Sequence, residues 1–249
     1  SLSLFGNQIK DLPYSIGYLT HLTVLNLSDN QITNIPSTIG NLTYLIGLSL
    51  SNNHIVNIPS TIGNLKYLII LGLSNNHIVN VPNSLFELKN LANLNLYNNE
   101  LTSIPNAING LKNLIELRMS DNKIKEIPSS IGELESLRFI CLHNNQIKEI
   151  PAAIGDLKNL VKLCLDHNKI AVVPSTTISK LKNLTELSLF GNQINMLPSA
   201  LGELKHLKKL VVPINLLTPE GLRLLPRSLY ERAREDDLEI VSYRDSTES

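Results

Sequence analysis

Two short stretches of the chain carry residue types that could bind a metal or act as a catalytic thiol. Cys141 and His143 stand two residues apart, and Cys164, Asp166 and His167 follow one 23-residue step later. Thiolates and imidazoles are common zinc ligands, and a thiolate is also the nucleophile of cysteine enzymes. Whether the two stretches form one site depends on the elements that carry them.

The composition excludes several classes of function. The 249 residues include 22 basic and 22 acidic side chains, so the chain has no overall attraction for nucleic acid or anionic lipid. No apolar run approaches the roughly 20 residues that a membrane span needs. Two cysteines do not make a disulfide framework and are typical of a reducing compartment. We therefore expect a cytoplasmic protein that binds neither nucleic acid nor membrane.

An internal repeat organises the whole chain. Asparagines recur at almost constant spacing, and the pattern LxxLxLxxN precedes each interior one, as in Leu22, Leu25, Leu27 and Asn30. An apolar residue and the segment IPxxIGxL follow. Eight prolines mark the same 23-residue step, at positions 13, 36, 59, 82, 105, 128, 151 and 174. A fixed period of this length indicates a solenoid, in which each coil packs only on its neighbours.

This pattern resembles the leucine-rich repeat family, and the resemblance covers essentially the whole chain. The 23-residue IPxxIGxL form is similar to the class of Ras-suppressor-type, plant Ras-group and many bacterial proteins. The resemblance implies an α/β repeat solenoid, a horseshoe with a concave parallel β-sheet of about eleven short strands. Its convex side would be irregular, with 3-10 turns or short helices. The last strand is expected near residues 238–243.

The repeated residues have separate physical roles. In an extended segment Leu25 and Leu27 point to one side, whereas Val24, Asn26 and Ser28 point to the other. The recurring asparagine marks a turn, where a buried amide can satisfy backbone groups of neighbouring coils. Proline suits the side of the coil that has no sheet pairing.

Three segments are predicted. Residues 1–217 form the repeats, which begin mid-repeat with the N-terminal cap missing, so we expect a fragment of a longer protein. Residues 218–243 form a C-terminal capping repeat with a polar helix, in which Arg232 and Glu235 stand where leucines are expected, and Thr218-Pro219-Glu220 begins a helix. Residues 244–249 form a disordered tail.

In this fold the variable positions of the concave strands are the candidate contacts. Aromatic residues and arginine are enriched at interface centres, and Tyr97, Arg118, Phe139 and Phe190 are expected to point to solvent. The predicted partner-binding residues share these outward positions in the middle and later coils: Asn95, Tyr97, Glu116, Arg118, Phe139, Cys141, His143, Lys162, Cys164, Asp166, Glu186 and Phe190. The outward side chains of the early coils are small and uncharged, so we expect a surface of low relief there.

The repeat register also changes how the two cysteines are interpreted. Cys141 and Cys164 occupy equivalent positions on adjacent strands, about 4.8 Å apart. A disulfide or a metal site with His143 or Asp166 is conceivable, but parallel side chains suit neither geometry well. Reduced, exposed thiols are the interpretation that we favour. His54 and His77 also share a register position, and we interpret them as copied surface residues, with a titrating pair as the alternative.

These patterns predict a non-enzymatic protein-interaction module. No nucleophile elbow, metalloprotease helix or phosphate-binding loop occurs, and we expect no catalytic residue, metal or cofactor. The resemblance implies a protein partner, such as a small GTPase pathway component, or a host protein if the chain is a secreted bacterial effector. The chain would act as a monomeric scaffold or signalling adaptor. The alternative is the substrate-targeting arm of a larger enzyme, a ligase or kinase whose catalytic domain lies outside this chain.

Overall fold

The computed structural model of the chain describes residues 1–235 and 237–242. Cα packing divides the chain into two compact units, Ser1–Lys123 and Ile124–Ser249. We call them unit 1 and unit 2 and describe each by itself. The predicted tail, residues 244–249, lies outside the described residues. The division into repeats, cap and tail stays a prediction.

Unit 1 contains six parallel strands in chain order. Neighbouring strands pair one repeat apart, so that Leu25 faces Leu48 and Leu48 faces Leu71. A 3-10 helix follows the repeat proline in each interval between strands. The strands are β1 (Leu2–Ser3), β2 (Val24–Asn26), β3 (Gly47–Ser49), β4 (Ile70–Gly72), β5 (Asn93–Asn95) and β6 (Glu116–Arg118). The 3-10 helices are Tyr14–Tyr18, Ser37–Asn41, Ser60–Asn64, Asn83–Glu87 and Asn106–Gly110.

Unit 2 repeats this coil with additional helices near its end. Its strands are β7 (Phe139–Cys141), β8 (Lys162–Cys164), β9 (Glu186–Ser188), β10 (Lys209–Val211) and β11 (Glu239–Val241). Its 3-10 helices are Ser129–Glu133, Ala152–Asp156, Ser199–Glu203 and Ile214–Leu217, and its α-helices are α1 (Ser175–Ile178), α2 (Pro219–Arg223) and α3 (Arg227–Arg234). The described residues thus contain the eleven strands expected, and the solenoid fold class is confirmed.

The core of each coil is the leucine and isoleucine set that the repeat predicts. Leu25 and Leu27 are fully buried, as is Ile39 on the 3-10 side of the same coil. Because successive coils place the same residue types at the same depth, the apolar side chains stack into a continuous interior.

Buried asparagines join the coils, as the spacing predicts. The Asn99 side-chain nitrogen donates to the carbonyls of Leu96 and Leu73, at 3.1 and 3.0 Å, the second of which belongs to the preceding coil. Its side-chain oxygen accepts from the Ile78 backbone N–H at 2.9 Å, also in the preceding coil. The same arrangement of amide and backbone recurs within unit 1 at Asn53 and Asn76. Each buried amide therefore closes its own turn and ties it to the previous coil.

The residue before each of these asparagines has a left-handed backbone. Asn52, Asn75 and Asn98 have φ between 51 and 56°, and His167 has φ 50°. Asn and Asp tolerate this conformation better than other side chains apart from glycine, which stands at Gly191 with φ 65°. The Asn-Asn runs thus combine a turn residue with a buried amide.

Asn215 departs from the asparagine pattern. It is exposed, and its side chain donates to the Ile194 carbonyl at 3.0 Å. It lies in the 3-10 helix Ile214–Leu217 after Pro213, which cannot donate a backbone hydrogen bond. The repeat register is therefore interrupted at this point.

The helices near the end confirm one local prediction and contradict another. Thr218 caps α2, since its hydroxyl accepts from the Gly221 N–H at 3.1 Å. Arg232, expected to face water from α3, instead has a side chain only 14% exposed. Its guanidinium donates to the carbonyls of Leu204 and Leu207 at 2.8 and 2.7 Å. This arginine replaces a core leucine by satisfying carbonyls of the preceding coil, so the expectation of a water-facing side chain is wrong.

We expect Asn99→Ala to lower the free energy of unfolding by about 3 kcal/mol, because it leaves buried backbone groups of two coils without partners. Urea denaturation followed by circular dichroism measures this change. Asn113→Ala is the matched control. That exposed asparagine makes a single 2.9 Å bond to the Lys89 carbonyl, and its loss should cost less than about 1 kcal/mol. Equal losses for the two variants would contradict the role given to the buried amide.

Candidate functional site

A depression lies on the outward strand face of unit 1. Its floor is formed around Gly72 in β4, where the absence of a side chain exposes Ser49 and Ser51 of the preceding coil. A Cβ atom added to Gly72 would lie 3.2 Å from both serine hydroxyl oxygens. The cavity has a volume of about 330 Å³, and Asn93, Asn95, Glu116 and Arg118 also line it.

The rim of the depression is charged and tied down by hydrogen bonds. Arg118 bonds to Glu116 through Nε and Nη2, each 2.6 Å from the same carboxylate oxygen. Asn93 of β5 donates to the other oxygen of Glu116 at 2.8 Å. The carboxylate is therefore held from two adjacent strands, while the guanidinium side chain stays 54% exposed. This arrangement presents donors to a ligand without a large loss of side-chain entropy.

The other two predicted contacts of unit 1 lie beside this rim. The side-chain oxygen of Asn95 accepts a hydrogen bond from the backbone N–H of Tyr97 at 3.0 Å, and this bond fixes the chain at the end of β5. Tyr97 is exposed, as predicted. The structure thus gathers Asn95, Glu116 and Arg118 around one depression, with Tyr97 two residues beyond it.

Sequence reasoning missed the floor of this site. The early coils looked low in relief, and Ser49, Ser51 and Gly72 were left out for that reason. The small residues Ser49, Ser51 and Gly72 create the depression, because the outward side chains of β5 and β6 beside them are larger. A glycine at an outward strand position is the sequence feature that could have identified it.

In unit 2, Cys141 and Cys164 are register partners on β7 and β8, as predicted. They are thiols rather than a disulfide, and they hydrogen bond to each other. Cys164 is buried, so the expectation of exposed thiols is wrong for this residue. The hydrogen bond between the Cys164 thiol and Cys141, together with burial, raises the pKa of the Cys164 thiol well above its ordinary value. Cys164 is thus protected from ionisation and from ligands.

Phe190 was expected to point to solvent, and that expectation is wrong. Its side chain is only 8% exposed, and its ring packs edge-on against His167 with centroids 5.1 Å apart. Its backbone N–H donates to Asp166 Oδ1 at 2.9 Å, and the Ser188 hydroxyl donates to the same oxygen. Asp166 therefore serves the local turn, and Phe190 closes the core beside it.

The remaining predicted contacts of unit 2 lie on its strand face. Lys162 and Glu186 form an ion pair of 2.8 Å between β8 and β9, and the hydrogen bond to Glu186 raises the pKa of Lys162. Phe139 is half-buried and has the Arg138 guanidinium 5.8 Å from its ring centroid. His143 is also half-buried. The partner-binding role of all twelve residues stays a prediction.

The histidine pair lies in unit 1 on the loops after β3 and β4. The rings of His54 and His77 stack at 5.9 Å, and both side chains are exposed, as predicted. His77 lies 3.6 Å from Glu100, whose pKa is lowered chiefly by its hydrogen bond to Lys123. The pair therefore belongs to an exposed charged edge.

Two kinds of site have no support within residues 1–235 and 237–242. No group of three or more His, Cys, Asp or Glu side chains there is placed to hold a metal ion. The cysteines with His143 or Asp166 thus do not assemble the metal site considered above. No helix in that part of the chain is long and apolar enough to cross a bilayer.

Cys164 should react with iodoacetamide at pH 8 at least about tenfold more slowly than Cys141, because its raised pKa leaves little thiolate and its side chain is buried. Peptide mapping by mass spectrometry measures the two rates. Cys141→Ala removes the largest cause of the raised pKa, so Cys164 should then react faster, though burial still slows it. Similar rates for the two cysteines in the folded parent chain would show that this description of the pair is wrong.

Comparison with known proteins agrees with the coil geometry. The family described as a leucine-rich repeat region matches residues 39–123 and 109–223, and a two-copy leucine-rich repeat family matches residues 1–44. No curated protein matches the sequence.

Several solved structures share the fold. PEPR1 in complex with AtPEP1 is 35% identical, with a TM-score of 0.77, over 93% of this chain and 33% of that one. The leucine-rich-repeat ectodomain of the Arabidopsis thaliana receptor kinase GASSHO1/SCHENGEN3, in complex with CASPARIAN STRIP INTEGRITY FACTOR 2, is 30% identical, with a TM-score of 0.77, over 84% and 26%. A leucine-rich repeat protein of Leptospira interrogans is 28% identical, with a TM-score of 0.53, over 94% and 76%.

The chain spans about a quarter to a third of the PEPR1 and GASSHO1/SCHENGEN3 chains. The family match covers most of its length, in agreement with the stacked coils and their buried asparagines. The chain belongs to the leucine-rich repeat family.

Proposed function

We propose that this chain is a non-enzymatic protein-binding module and that the outward strand face of unit 1 is a contact surface. The observation that carries the proposal is the depression over Gly72, bordered by Arg118 and Glu116. A partner side chain that enters it would meet serine hydroxyls and asparagine amides on the strand face and a guanidinium at the rim. Polar groups of this kind fix the orientation of a ligand.

The physical basis of the proposal is preorganisation. The strand backbones are held by their neighbours, and Glu116 is fixed by Asn93 and Arg118 before any partner arrives. Binding to such a surface costs little ordering entropy. The outward strand face of unit 2, with Phe139, His143, Lys162 and Glu186, is a second proposed contact surface, considered by itself.

The comparisons support the general role. PEPR1 is seen with AtPEP1, and the GASSHO1/SCHENGEN3 ectodomain is seen in complex with CASPARIAN STRIP INTEGRITY FACTOR 2. A protein or peptide partner is therefore the class of ligand that we propose here.

The finer role is a further proposal. As a monomeric scaffold or signalling adaptor in the cytoplasm, the chain would bind a small GTPase pathway component. As an effector delivered into a host cell, it would bind a host protein. The low cysteine content supports an environment that keeps thiols reduced. The similarity to a Leptospira interrogans protein agrees with a bacterial setting.

One observation favours the alternative that the chain is the targeting arm of a larger enzyme. It matches only 26% of the chain of a receptor kinase ectodomain, so this fold also occurs within longer proteins. In that case the same strand face would select the substrate, and the catalytic step would belong to a separate domain.

The double variant Gly72→Asn/Arg118→Glu should lose the partner without loss of folding. Asn95 occupies the equivalent outward position in β5, so an asparagine side chain suits this part of the coil. It would fill the depression, and the second change would reverse the charge at the rim. Affinity capture with quantitative mass spectrometry, followed by calorimetry with the captured protein, should show at least about tenfold weaker binding.

Lys89→Glu is the control, because it reverses an exposed charge in the turn before β5, outside the lining of the depression. Binding should be retained by this variant. If the double variant captures the same proteins with the same affinity as the parent chain, the strand face of unit 1 is not the contact surface.

A further inference from the structure

Three aromatic rings form a column at the edge of unit 1 where the strands begin. His21, Tyr44 and Tyr67 occupy the same position in successive coils, three residues before the start of β2, β3 and β4. Their ring centroids are separated by 6.3 and 6.2 Å, and the ring planes are parallel to within 8°. We call these three residues the aromatic column.

The aromatic column interrupts a structural pattern of the repeat. In later coils the equivalent residue is usually asparagine, which bonds to a backbone carbonyl of the preceding coil. Asn90 donates to Lys66 at 2.7 Å and Asn113 to Lys89 at 2.9 Å. A tyrosine at this position lacks the amide that makes this bond and adds a ring that is more than half exposed at Tyr44 and Tyr67. The core does not require this replacement.

A groove follows the aromatic column. It is lined by Tyr44 and Tyr67, by Ile46 and Ile69 below them, and by Thr23 and Asn90 at its ends. Its volume is about 680 Å³. Ile46 and Ile69 are 42 and 40% exposed, so the groove is a continuous apolar patch rather than a set of single exposed residues.

The groove offers side chains but no backbone for pairing. The carbonyls of Thr23, Ile46 and Ile69 each accept two N–H groups of the next coil; for example, Ile46 accepts from Ile69 at 2.8 Å and Ile70 at 3.1 Å. A peptide therefore cannot extend the sheet here, as it does in strand-addition complexes. Recognition must come from ring and aliphatic surface, with the tyrosine hydroxyls as hydrogen-bonding groups.

Charge and spacing define the occupant. The lining contains no Asp, Glu, Lys, Arg or His, and the neighbouring Lys66 is paired with Glu87 at 3.3 Å. Alternate side chains of an extended peptide repeat at about 6.6 Å, close to the spacing of the rings. A helical turn advances about 5.4 Å and a polyproline turn about 9.3 Å, and both fit the column less well.

We propose that this groove is a further binding site on unit 1, independent of the depression over Gly72. Its ligand would be an uncharged extended peptide segment with an apolar side chain at every second residue. The segment would run along the aromatic column from coil to coil, with each apolar side chain beside a successive ring. The two sites share no lining residue.

The test uses the full chain and a synthetic heptapeptide, acetyl-Gly-Ile-Asn-Leu-Thr-Val-Gly-amide. Its scrambled form, acetyl-Gly-Asn-Thr-Ile-Leu-Val-Gly-amide, keeps the composition and removes the alternation. Isothermal titration calorimetry measures the affinities, because it does not depend on the tyrosines that the variants remove. We expect the alternating peptide to bind at least about fivefold more tightly than the scrambled one.

The matched variants come from the repeat itself. Tyr44→Asn/Tyr67→Asn restores the residue of the later coils, so folding should be preserved, and affinity should fall at least about tenfold. Tyr14→Asn removes another exposed tyrosine of unit 1, outside the groove lining, and should leave affinity unchanged. Gly72→Asn should also leave it unchanged, which separates this site from the proposed strand-face site.

Four results of the peptide experiments would overturn the proposal. These are equal affinity for both peptides, no binding of the alternating peptide, tighter binding of a proline heptapeptide, and no effect of the double variant. Sedimentation of the chain alone completes the test. If the chain dimerises and Tyr44→Asn/Tyr67→Asn abolishes the dimer, the groove binds a second copy and the peptide proposal is wrong; a monomer at all concentrations agrees with it.

Discussion

The structure depends on a side-chain amide that is buried where the chain turns. An amide removed from water must have its donors and acceptor satisfied, and the buried repeat asparagines of unit 1, such as Asn99, satisfy them with carbonyls of two coils and an N–H of the preceding coil. This requirement holds neighbouring coils at a fixed distance and in a fixed register. The leucine core supplies most of the apolar burial, but leucines alone tolerate sliding of one coil against the next. The amides make the register specific.

A fixed register turns sequence positions into columns on the surface. Residues one repeat apart become neighbours, so the serines around Gly72 form the floor of the depression, the cysteines bond to each other, and the aromatic rings stack. A column that keeps the residue type of the repeat stabilises the contact between coils, as the exposed asparagines before β5 and β6 do. The aromatic column departs from the repeat, so stabilisation of the fold does not explain why these rings are there. The two sites that we propose on unit 1 lie where the repeat is broken on the surface and preserved in the core.

The sequence predicted the parts of the molecule that periodicity controls: the strand number, the core leucines, the buried asparagines and the pairing of Cys141 with Cys164. It did not predict exposure at outward positions, because exposure there depends on neighbours. Phe190 is covered through His167 and the turn held by Asp166, and Cys164 is covered beside Cys141. The aromatic column was not predicted, because the predicted contacts were outward positions of the strands and these rings lie before the strands. The replacement of asparagine by tyrosine before β3 and β4 was the sequence feature that could have identified it.

Hydrogen exchange of the side-chain amides, followed by NMR, tests the central claim most directly. The buried amide groups of Asn53, Asn76 and Asn99 should exchange at least about a hundredfold more slowly than those of the preceding residues Asn52 and Asn98, which are exposed, and Asn75, which is half-buried. The comparison pairs the same chemical group at adjacent positions, so only burial and bonding differ. Slow exchange at the buried residues alone is the predicted result. Equal rates within each pair would contradict the claim that these amides hold the coils in register.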